Sequence, residues 1–98
     1  MTLDEIEKVV TPACDQFNVR RLDVFGSFAR GEADSSSDID LLVEFDDPAD
    51  RPSKRFFGLL HYLEDHLDRQ IDLVTVTGMK PPYFRRRVLD ERVVIYER

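Results

Sequence analysis

The sequence predicts a small domain of the α/β (α+β) class, in which one mixed four-stranded sheet is packed by helices. Three observations lead to this prediction. The chain has 98 residues, a length typical of one domain. Apolar and polar residues alternate with a period of two over 39–45, which is the cleanest strand pattern in the chain. Helical and extended patterns follow one another in the order α-β-α-β-α-β-α-β.

The first predicted helix begins at Thr2, because Thr2 and Glu5 have the spacing of a capping box. Apolar residues at helical spacing mark its buried face, and these are Leu3, Ile6, Val10, Ala13 and Phe17. Pro12 interrupts the pattern and predicts either a kink or a restart with Thr11 as the new cap. Asn18 provides a stop signal for this helix.

The first predicted strand covers residues 20–25 and is broken by Gly26. Ser27 is then predicted to cap a helix of about one turn, which Gly31 ends. Residues 32–37 are polar and are predicted to form a loop. A strand, a sharp turn, a short helix and a polar loop therefore precede the period-two segment.

The second strand is predicted to have one core face and one polar face. Its core face consists of Ile39, Leu41, Val43 and Phe45. The opposite face carries the acids, and its positions are Asp38, Asp40, Leu42 and Glu44. A polar linker follows over 46–52, and a helix is predicted over 53–67. The inner face of that helix consists of Phe56, Leu59, Leu60, Leu63 and Leu67.

The rest of the chain predicts a strand, a helix and a final strand. The strand covers 70–76, and Thr77-Gly78 turn the chain after it. Two prolines start a helix over 81–91 that carries Arg85-Arg86-Arg87, and we interpret these arginines as a solvated helix face. A last short strand is predicted over 93–96.

Composition and charge exclude several classes of protein. The net charge of −6 argues against a general DNA or RNA binder, which normally has a basic surface. No apolar run approaches the roughly 20 residues that span a bilayer, and the N-terminus lacks the features of a signal peptide. Cys14 is the only cysteine, so no internal disulfide can form. These observations predict a cytoplasmic location, with neither nucleic acid nor membrane as a direct partner.

Asp38 and Asp40 are the first candidates for a functional site. They lie two residues apart on a strand, so their side chains leave the same face. Two unpaired carboxylates there repel each other, and a bound magnesium ion removes that penalty. Taken alone, the pair also fits a solvated polar strand face. Asp72 interrupts an apolar strand, and it joins this acidic face if the third strand lies beside the second.

Gly26 and Ser27 are the candidates for binding a phosphate. Glycine allows the backbone to approach a ligand closely, and the N–H groups at a helix start attract anions. The serine adds a hydroxyl donor. The same residues also fit a plain turn with a serine cap. Arg30, one turn further on, could reach a phosphate or pair with an acid of the following loop.

Together these residues resemble a known signature. The segment Gly26-Ser27-x-Ala29-Arg30-Gly31, followed by Ser37-Asp38-x-Asp40-Leu41, is similar to that of the DNA polymerase beta-like nucleotidyltransferases. More closely, it resembles the minimal nucleotidyltransferases, which are short single-domain members typically encoded beside a HEPN-domain toxin. The later segment Ile71-Asp72-Leu73-Val74 also looks like that group. The resemblance covers most of the chain from Leu22 onward, and it implies a small nucleotidyltransferase-like domain.

The resemblance also implies roles for individual residues. Gly26 and Ser27 would hold the triphosphate of ATP, and Arg30 and Ser37 fall within the same signature as nucleotide-binding candidates. The acids, which are Asp38, Asp40 and Asp72, would bind two Mg²⁺ ions, and Asp72 could take the proton of the acceptor. One departure is Asp34, which stands where many relatives carry a basic residue and adds negative charge near the triphosphate.

The implied function is Mg²⁺-dependent transfer of AMP from ATP to a tyrosine hydroxyl of a HEPN toxin, with this chain as the antitoxin in a hetero-oligomer. One alternative is a catalytically weak antitoxin that neutralises its partner by binding. Another is a nucleotidyltransferase of the aminoglycoside-modifying type. A chain of this length has no room for a second domain that holds an acceptor, so a partner would deliver its own. Three aromatic residues are candidates for the contact surface, namely Tyr83, Phe84 and Tyr96.

Overall fold

The computed structural model describes all 98 residues and confirms one mixed four-stranded sheet packed by helices. The elements in chain order are α1 (Leu3–Gln16), β1 (Val19–Phe25), α2 (Gly26–Arg30), β2 (Ile39–Phe45), α3 (Pro52–Leu67), β3 (Ile71–Thr75), a 3₁₀ turn (Val76–Gly78), α4 (Pro82–Glu91) and β4 (Val93–Glu97). The sheet order is β3-β2-β1-β4. Strand β1 pairs antiparallel with β2 and β4, whereas β2 and β3 are parallel. The helix α3 between β2 and β3 provides the crossover that a parallel pair needs.

Helix α1 begins as its sequence predicts but does not break at Pro12. The Thr2 hydroxyl accepts a hydrogen bond from the Glu5 N–H at 3.2 Å and caps the helix. The predicted restart at Thr11 is wrong, because Pro12 lies inside one continuous helix. A proline removes a single backbone donor, and the buried residues on both sides of Pro12 hold the helix against the sheet. Asn18 has φ 56° and stops the helix in the left-handed conformation, as predicted.

The two faces of the sheet carry two apolar clusters of very different size. The larger one packs α1 and α3 against the sheet and includes the predicted core positions Ile39, Leu41 and Val43. The smaller one lies under α4 and consists of Phe25, Leu42, Met79 and Val88. Leu42 is therefore buried, and the prediction of a polar face along the whole of β2 is wrong at this position. The helix α4 covers the middle of that face and leaves its beginning open.

A buried arginine organises the linker between β2 and α3. Arg55 is only 5% exposed, although it lies near the start of α3. Its guanidinium donates hydrogen bonds to five backbone carbonyls, which belong to Phe17, Asn18, Asp46, Asp47 and Asp50. It also lies over the ring of Phe45, 4.7 Å from the ring centroid. The linker is therefore fixed to the end of α1 by one side chain.

The C-terminal third matches its predicted boundaries to within one residue and differs in the turn that follows β3. Strand β3 ends at Thr75, one residue before the predicted end, and a 3₁₀ turn replaces the simple turn. The Thr75 hydroxyl accepts a hydrogen bond from the Gly78 N–H at 3.2 Å, which favours this tighter turn. The arginines of α4, Arg85-Arg86-Arg87, are all exposed, as predicted. None of the helices combines the length and the apolar character that crossing a membrane requires.

The three aromatic candidates for a contact surface have different environments. Tyr83 is 79% exposed. Phe84 packs edge-on against Phe25, with ring centroids 6.3 Å apart. The Tyr96 hydroxyl donates to an oxygen of Asp15 at 3.3 Å. Only Tyr83 therefore keeps most of its ring free for another molecule.

Candidate active site

Parallel pairing of β2 and β3 brings the acids together. In the register of this pair, Asp40 lies directly opposite Asp72. Asp38 precedes Asp40 by two residues and enters the same face at the junction of loop and strand. Asp38 and Asp72 are exposed, whereas Asp40 is half-buried. The sequence prediction depended on β3 lying beside β2, and the structure has this arrangement.

The pKa of Asp40 reflects both its burial and the charges of the neighbouring acids. The pKa of Asp40 is raised to about 6, mainly by burial and in addition by the neighbouring carboxylates of Asp72 and Asp38. Arg30 opposes this shift and lowers the pKa. The three side chains do not form a ready-made metal cage, since no three acidic, histidine or cysteine side chains converge on one point. They provide instead hard oxygen ligands, with mutual repulsion that a divalent cation relieves.

Gly26 lies directly against Asp40. Its φ of +71° is left-handed, a conformation that glycine adopts without steric cost. A Cβ at this position would lie 3.0 Å from the Asp40 Cγ and closer still to one of its carboxylate oxygens. No larger residue fits here without moving the carboxylate. The turn that is predicted to bind a phosphate thus lies against Asp40, one of the acids that are predicted to bind metal.

Ser27 lies inside α2 and does not cap it, so the predicted capping role is wrong. The helix starts one residue earlier, at Gly26, with Phe25 at the cap position and no side-chain cap. The left-handed Gly26 makes the turn from strand to helix within a single residue. The Ser27 hydroxyl is therefore not used for capping. Gly31, with φ 72°, ends the helix as predicted.

Arg30 pairs with acids in the structure. It meets Glu32 of the following loop at 3.3 Å, which is one of the two predicted possibilities. It also donates to both carboxylate oxygens of Glu91, each at 3.3 Å. These contacts raise the pKa of Arg30 above its ordinary value, with the Glu32 hydrogen bond as the larger cause. The guanidinium therefore links α2 to the end of α4.

Glu91 is a site residue that the sequence analysis missed. Besides meeting Arg30, its carboxylate accepts a hydrogen bond from the Gly26 N–H at 3.0 Å. Glu91 is the last residue of α4, and 65 positions separate it from Gly26 along the chain. A glutamate at a helix end carries no sequence signal for such a contact. One carboxylate thus holds both the start and the end of α2.

The loop before Asp38 is held by its own polar groups. Asp34 accepts hydrogen bonds from the Ser36 hydroxyl at 2.8 Å and the Ser36 N–H at 2.9 Å, and these bonds lower the pKa of Asp34. The Ser37 hydroxyl accepts from the Asp34 N–H at 2.9 Å. Arg69 lies outside this loop and donates hydrogen bonds to the carbonyls of Asp34 and Ser37, which links these two loop residues. The structure therefore places Ser37 next to the acids, with its hydroxyl engaged in the loop.

Comparison with known proteins gives consistent matches. A family model described as a nucleotidyltransferase domain matches residues 6–95. The protein adenylyltransferase MntA of Thermococcus cleftensis is 41% identical over 85 residues, which are 82% of this chain and 83% of that protein. MJ1379 of Methanocaldococcus jannaschii, assigned as a protein adenylyltransferase, is 32% identical over 98 residues, covering 96% of this chain and 98% of that protein.

Solved structures share the fold. One of them, assigned as a minimal nucleotidyltransferase, has a TM-score of 0.77 at 35% identity and covers 95% of each chain. A chain from the complex of a tri-AMPylated Shewanella oneidensis HEPN toxin with an MNT antitoxin has a TM-score of 0.70 at 18% identity. That match covers 99% of this chain and 74% of the other, and it shows a common fold.

Proposed function

This chain belongs to the nucleotidyltransferase domain family, and from that membership we propose that it transfers AMP from ATP to a tyrosine hydroxyl of a HEPN-domain toxin. It would thereby act as the antitoxin of a toxin–antitoxin pair. The observation that carries this proposal is the register of β2 and β3, which sets Asp40 opposite Asp72 beside the Gly26-Ser27 turn. That register supports one site for both the cation and the polyphosphate.

The donor set fits magnesium. Asp38, Asp40 and Asp72 supply only carboxylate oxygens, which are the ligands that Mg²⁺ prefers. Two of the three are exposed and can turn toward an ion. The pKa of Asp40 is raised mainly by burial and then by the charges of Asp72 and Asp38, and a cation would relieve that repulsion. Bound Mg²⁺, as one or two ions, would neutralise polyphosphate charge and lower the pKa of the acceptor hydroxyl.

The chain's own residues position the reacting groups. Ser27 and the backbone at the start of α2 would donate hydrogen bonds to phosphate oxygens of ATP. The tyrosine oxygen would attack the α-phosphorus, and the bond from that phosphorus to pyrophosphate would break. The exposed Asp72 carboxylate would take the tyrosine proton. Arg30 is already paired with Glu32 and Glu91, so its role here is to hold α2 in place.

The relatives indicate the kind of partner. The 98 residues form one domain around a single four-stranded sheet, and the proposed site lies open at one end of it. Similar solved structures are described as toxin–antitoxin complexes, including MntA-HepT. Curated relatives at 32–41% identity are described as protein adenylyltransferases. These likenesses support a protein acceptor over a small molecule such as an aminoglycoside.

The intact mass of the partner tests this function. We expect the HEPN-domain protein encoded by the same genome to gain one or more AMP units when it is mixed with the chain, ATP and Mg²⁺. The gain should disappear with Asp38→Asn plus Asp40→Asn. The matched control is Asp65→Asn plus Asp68→Asn, two exposed acids outside the site, and it should modify the partner normally.

An unchanged partner mass would contradict transfer to this protein. If the double variant Asp38→Asn plus Asp40→Asn still bound the partner tightly under those conditions, neutralisation by binding would replace our proposal. Modification of an aminoglycoside without any protein acceptor would identify the small-molecule alternative. Mass spectrometry and a binding measurement on the same samples separate these three results.

Glu91 gives a further prediction at this site. Glu91→Ala removes the acceptor of the Gly26 N–H and a partner of Arg30, so α2 loses its attachment to α4. We expect the affinity for Mg²⁺-ATP to fall by about tenfold, since one charge-assisted hydrogen bond contributes roughly 1.5 kcal/mol or more. Isothermal titration calorimetry measures this change.

The control for this prediction is Glu97→Ala. Glu97 also pairs with an arginine at 3.3 Å, but that arginine is Arg21 on β1. This variant should bind the nucleotide as the unmodified chain does. A double-mutant cycle of Glu91→Ala with Ser27→Ala should be non-additive, because both changes act on the same turn. Additive losses would show that Glu91 contributes only to general stability.

A further inference from the structure

Asp38 lies in the part of the candidate site that regular structure does not hold. Strand β2 begins one residue later, at Ile39, and residues 32–38 contain neither helix nor strand. Asp40 and Asp72, by contrast, lie within paired strands, where the register fixes them. An exposed side chain on irregular backbone loses more conformational entropy when it is ordered around an ion. The contacts on either side of Asp38 therefore determine how well its carboxylate is placed.

Two consecutive residues, Arg69 and Gln70, hold the backbone on either side of Asp38. The Arg69 Nη1 donates a hydrogen bond to the Ser37 carbonyl at 2.9 Å, directly before Asp38. The Gln70 carbonyl accepts a hydrogen bond from the Ile39 N–H at 3.0 Å, directly after Asp38. Asp38 is therefore held from both sides by the short segment that leads into β3.

Arg69 also contacts the turn before Asp38 and the helix α2. Its Nη1 donates to the Asp34 carbonyl at 3.1 Å, and the Ser37 N–H donates to the same carbonyl at 3.2 Å. Arg69 thus contacts the first and the last residue of this turn. Its guanidinium lies over the ring of Phe28 in α2, 5.4 Å from the ring centroid, where a cation is attracted to the aromatic face. One side chain therefore joins α2, the turn and the start of β3.

The charge of Arg69 is not neutralised by an acid. Arg69 forms no ion pair, and the hydrogen bonds of its guanidinium go to the backbone carbonyls of Asp34 and Ser37. A positive charge next to the acids opposes the binding of a cation by Coulomb repulsion. If Arg69 acted only through its charge, its removal would strengthen cation binding. A role in placing Asp38 predicts a change of the opposite sign.

We propose that Arg69 is a positioning residue, which holds Asp38 beside Asp40 and Asp72 so that the three carboxylates can share a divalent cation. It acts through the carbonyl of Ser37 and touches neither the ion nor the nucleotide. This inference rests on the proposed function, and it names the residue that sets the affinity of the site for its cation.

Cation affinity in the absence of nucleotide tests this role. We titrate each chain with Mn²⁺ as the probe and follow the free ion by electron paramagnetic resonance. Arg69→Met should weaken Mn²⁺ binding roughly tenfold, as is typical when a residue that supports a metal ligand is lost, although the chain becomes more acidic. Arg69→Lys keeps the charge without the planar donor geometry, so it should also bind Mn²⁺ more weakly than the unmodified chain.

Arg98→Met is the matched control. Arg98 also bridges two acceptors with one nitrogen, since its Nη1 donates to the side chains of Asn18 at 2.6 Å and Asp46 at 3.2 Å. These contacts lie beyond the other end of β2, away from the acids. The control removes the same charge and should bind Mn²⁺ within about twofold of the unmodified chain. Circular dichroism shows that each variant is folded at the temperature of the titration.

A second background separates positioning of Asp38 from general stability. In a chain that carries Asp38→Asn, Arg69→Met should cause less than about twofold further loss of Mn²⁺ affinity, because the carboxylate that Arg69 places is absent. An equal loss in both backgrounds would overturn the proposal, since Arg69 would then act without Asp38.

Three other results have distinct consequences. Unchanged or tighter Mn²⁺ binding by Arg69→Met would overturn the proposal and leave Arg69 with an effect of charge alone. Failure of the unmodified chain to bind Mn²⁺ would overturn it together with the proposed cation site. Absence of AMP transfer to the HEPN-domain protein, with the Arg69 effect on Mn²⁺ affinity intact, would refute the proposed function alone.

Discussion

Replacing Asp40 with asparagine is expected to stabilise the metal-free protein while it reduces AMP transfer by roughly a thousandfold or more. The loss of transfer follows from removing a carboxylate of the proposed cation site. The gain in stability follows from the pKa of Asp40, which is about 6 in the folded protein against an ordinary value of 3.8. Burial is the main cause, and the charges of Asp72 and Asp38 add to it.

The sign of the pH dependence follows from proton binding. Between pH 3.8 and about 6 the folded chain holds a proton on Asp40 that the unfolded chain has released. The free energy of unfolding therefore falls as the pH rises through this window. Above the window, the folded chain carries the full cost of an ionised Asp40. Asp40→Asn removes the penalty, which is about 1 kcal/mol after discounting for partial exposure, so Tm near neutral pH should rise by about 5 °C.

Thermal unfolding in the presence of a chelator checks this prediction. The difference between Asp40→Asn and the unmodified chain should be present near neutral pH and should vanish near about pH 4, where both residues are neutral. Glu44→Gln is the control, since it neutralises an exposed acid on the same strand and should leave Tm unchanged. A lower Tm for Asp40→Asn near neutral pH would show that the ionised Asp40 does not destabilise the folded chain.

Replacing Arg55 with methionine should cause the largest loss of stability among single substitutions in the linker. It leaves five backbone carbonyls without their donor. Three of them belong to the linker, namely those of Asp46, Asp47 and Asp50. We expect the free energy of unfolding to fall by about 3 kcal/mol or more, because hydrogen bonds to a charged group contribute roughly 1.5–3 kcal/mol each. Urea denaturation followed by circular dichroism measures the loss.

Arg51→Met is the matched control for this measurement. Arg51 precedes α3 by one residue and pairs only with Asp50, on an exposed surface. Its replacement should change the free energy of unfolding by less than about 0.5 kcal/mol. Arg55→Lys should recover part of the loss, since it keeps the charge without the planar donor geometry. If Arg55→Met were within about 1 kcal/mol of the unmodified chain, water would be replacing its five bonds.

The local part of the site is predictable from the sequence for a physical reason. Gly26, Asp38 and Asp40 lie on one strand–turn–strand unit, and period-two geometry alone places both acids on one face. The fold class and the order of elements follow from patterning in the same way and are confirmed. The resemblance to the minimal nucleotidyltransferases is also confirmed by the family match.

Long-range contacts account for what the sequence could not show. The pairing of Asp72 with Asp40 depends on a parallel register that no local pattern specifies. Glu91 and Arg55 act across 65 and 38 positions of the chain, and a charged residue at a helix end usually signals only a solvated surface. The sequence pattern places Leu42 on a polar face, but in the structure α4 covers this residue. The contacts of these residues depend on tertiary packing, which cannot be read from local sequence patterns.

The crossover from β2 to β3 also sets the order in which the parts of the site are made during translation. While the ribosome is still translating α3, the emerging chain carries two of the three acids and no partner strand for them. Glu91 appears later still, so the turn that it holds is the last part of the site to settle. The site would therefore be complete only after α4 has been made, and the shorter growing chain would lack a working site.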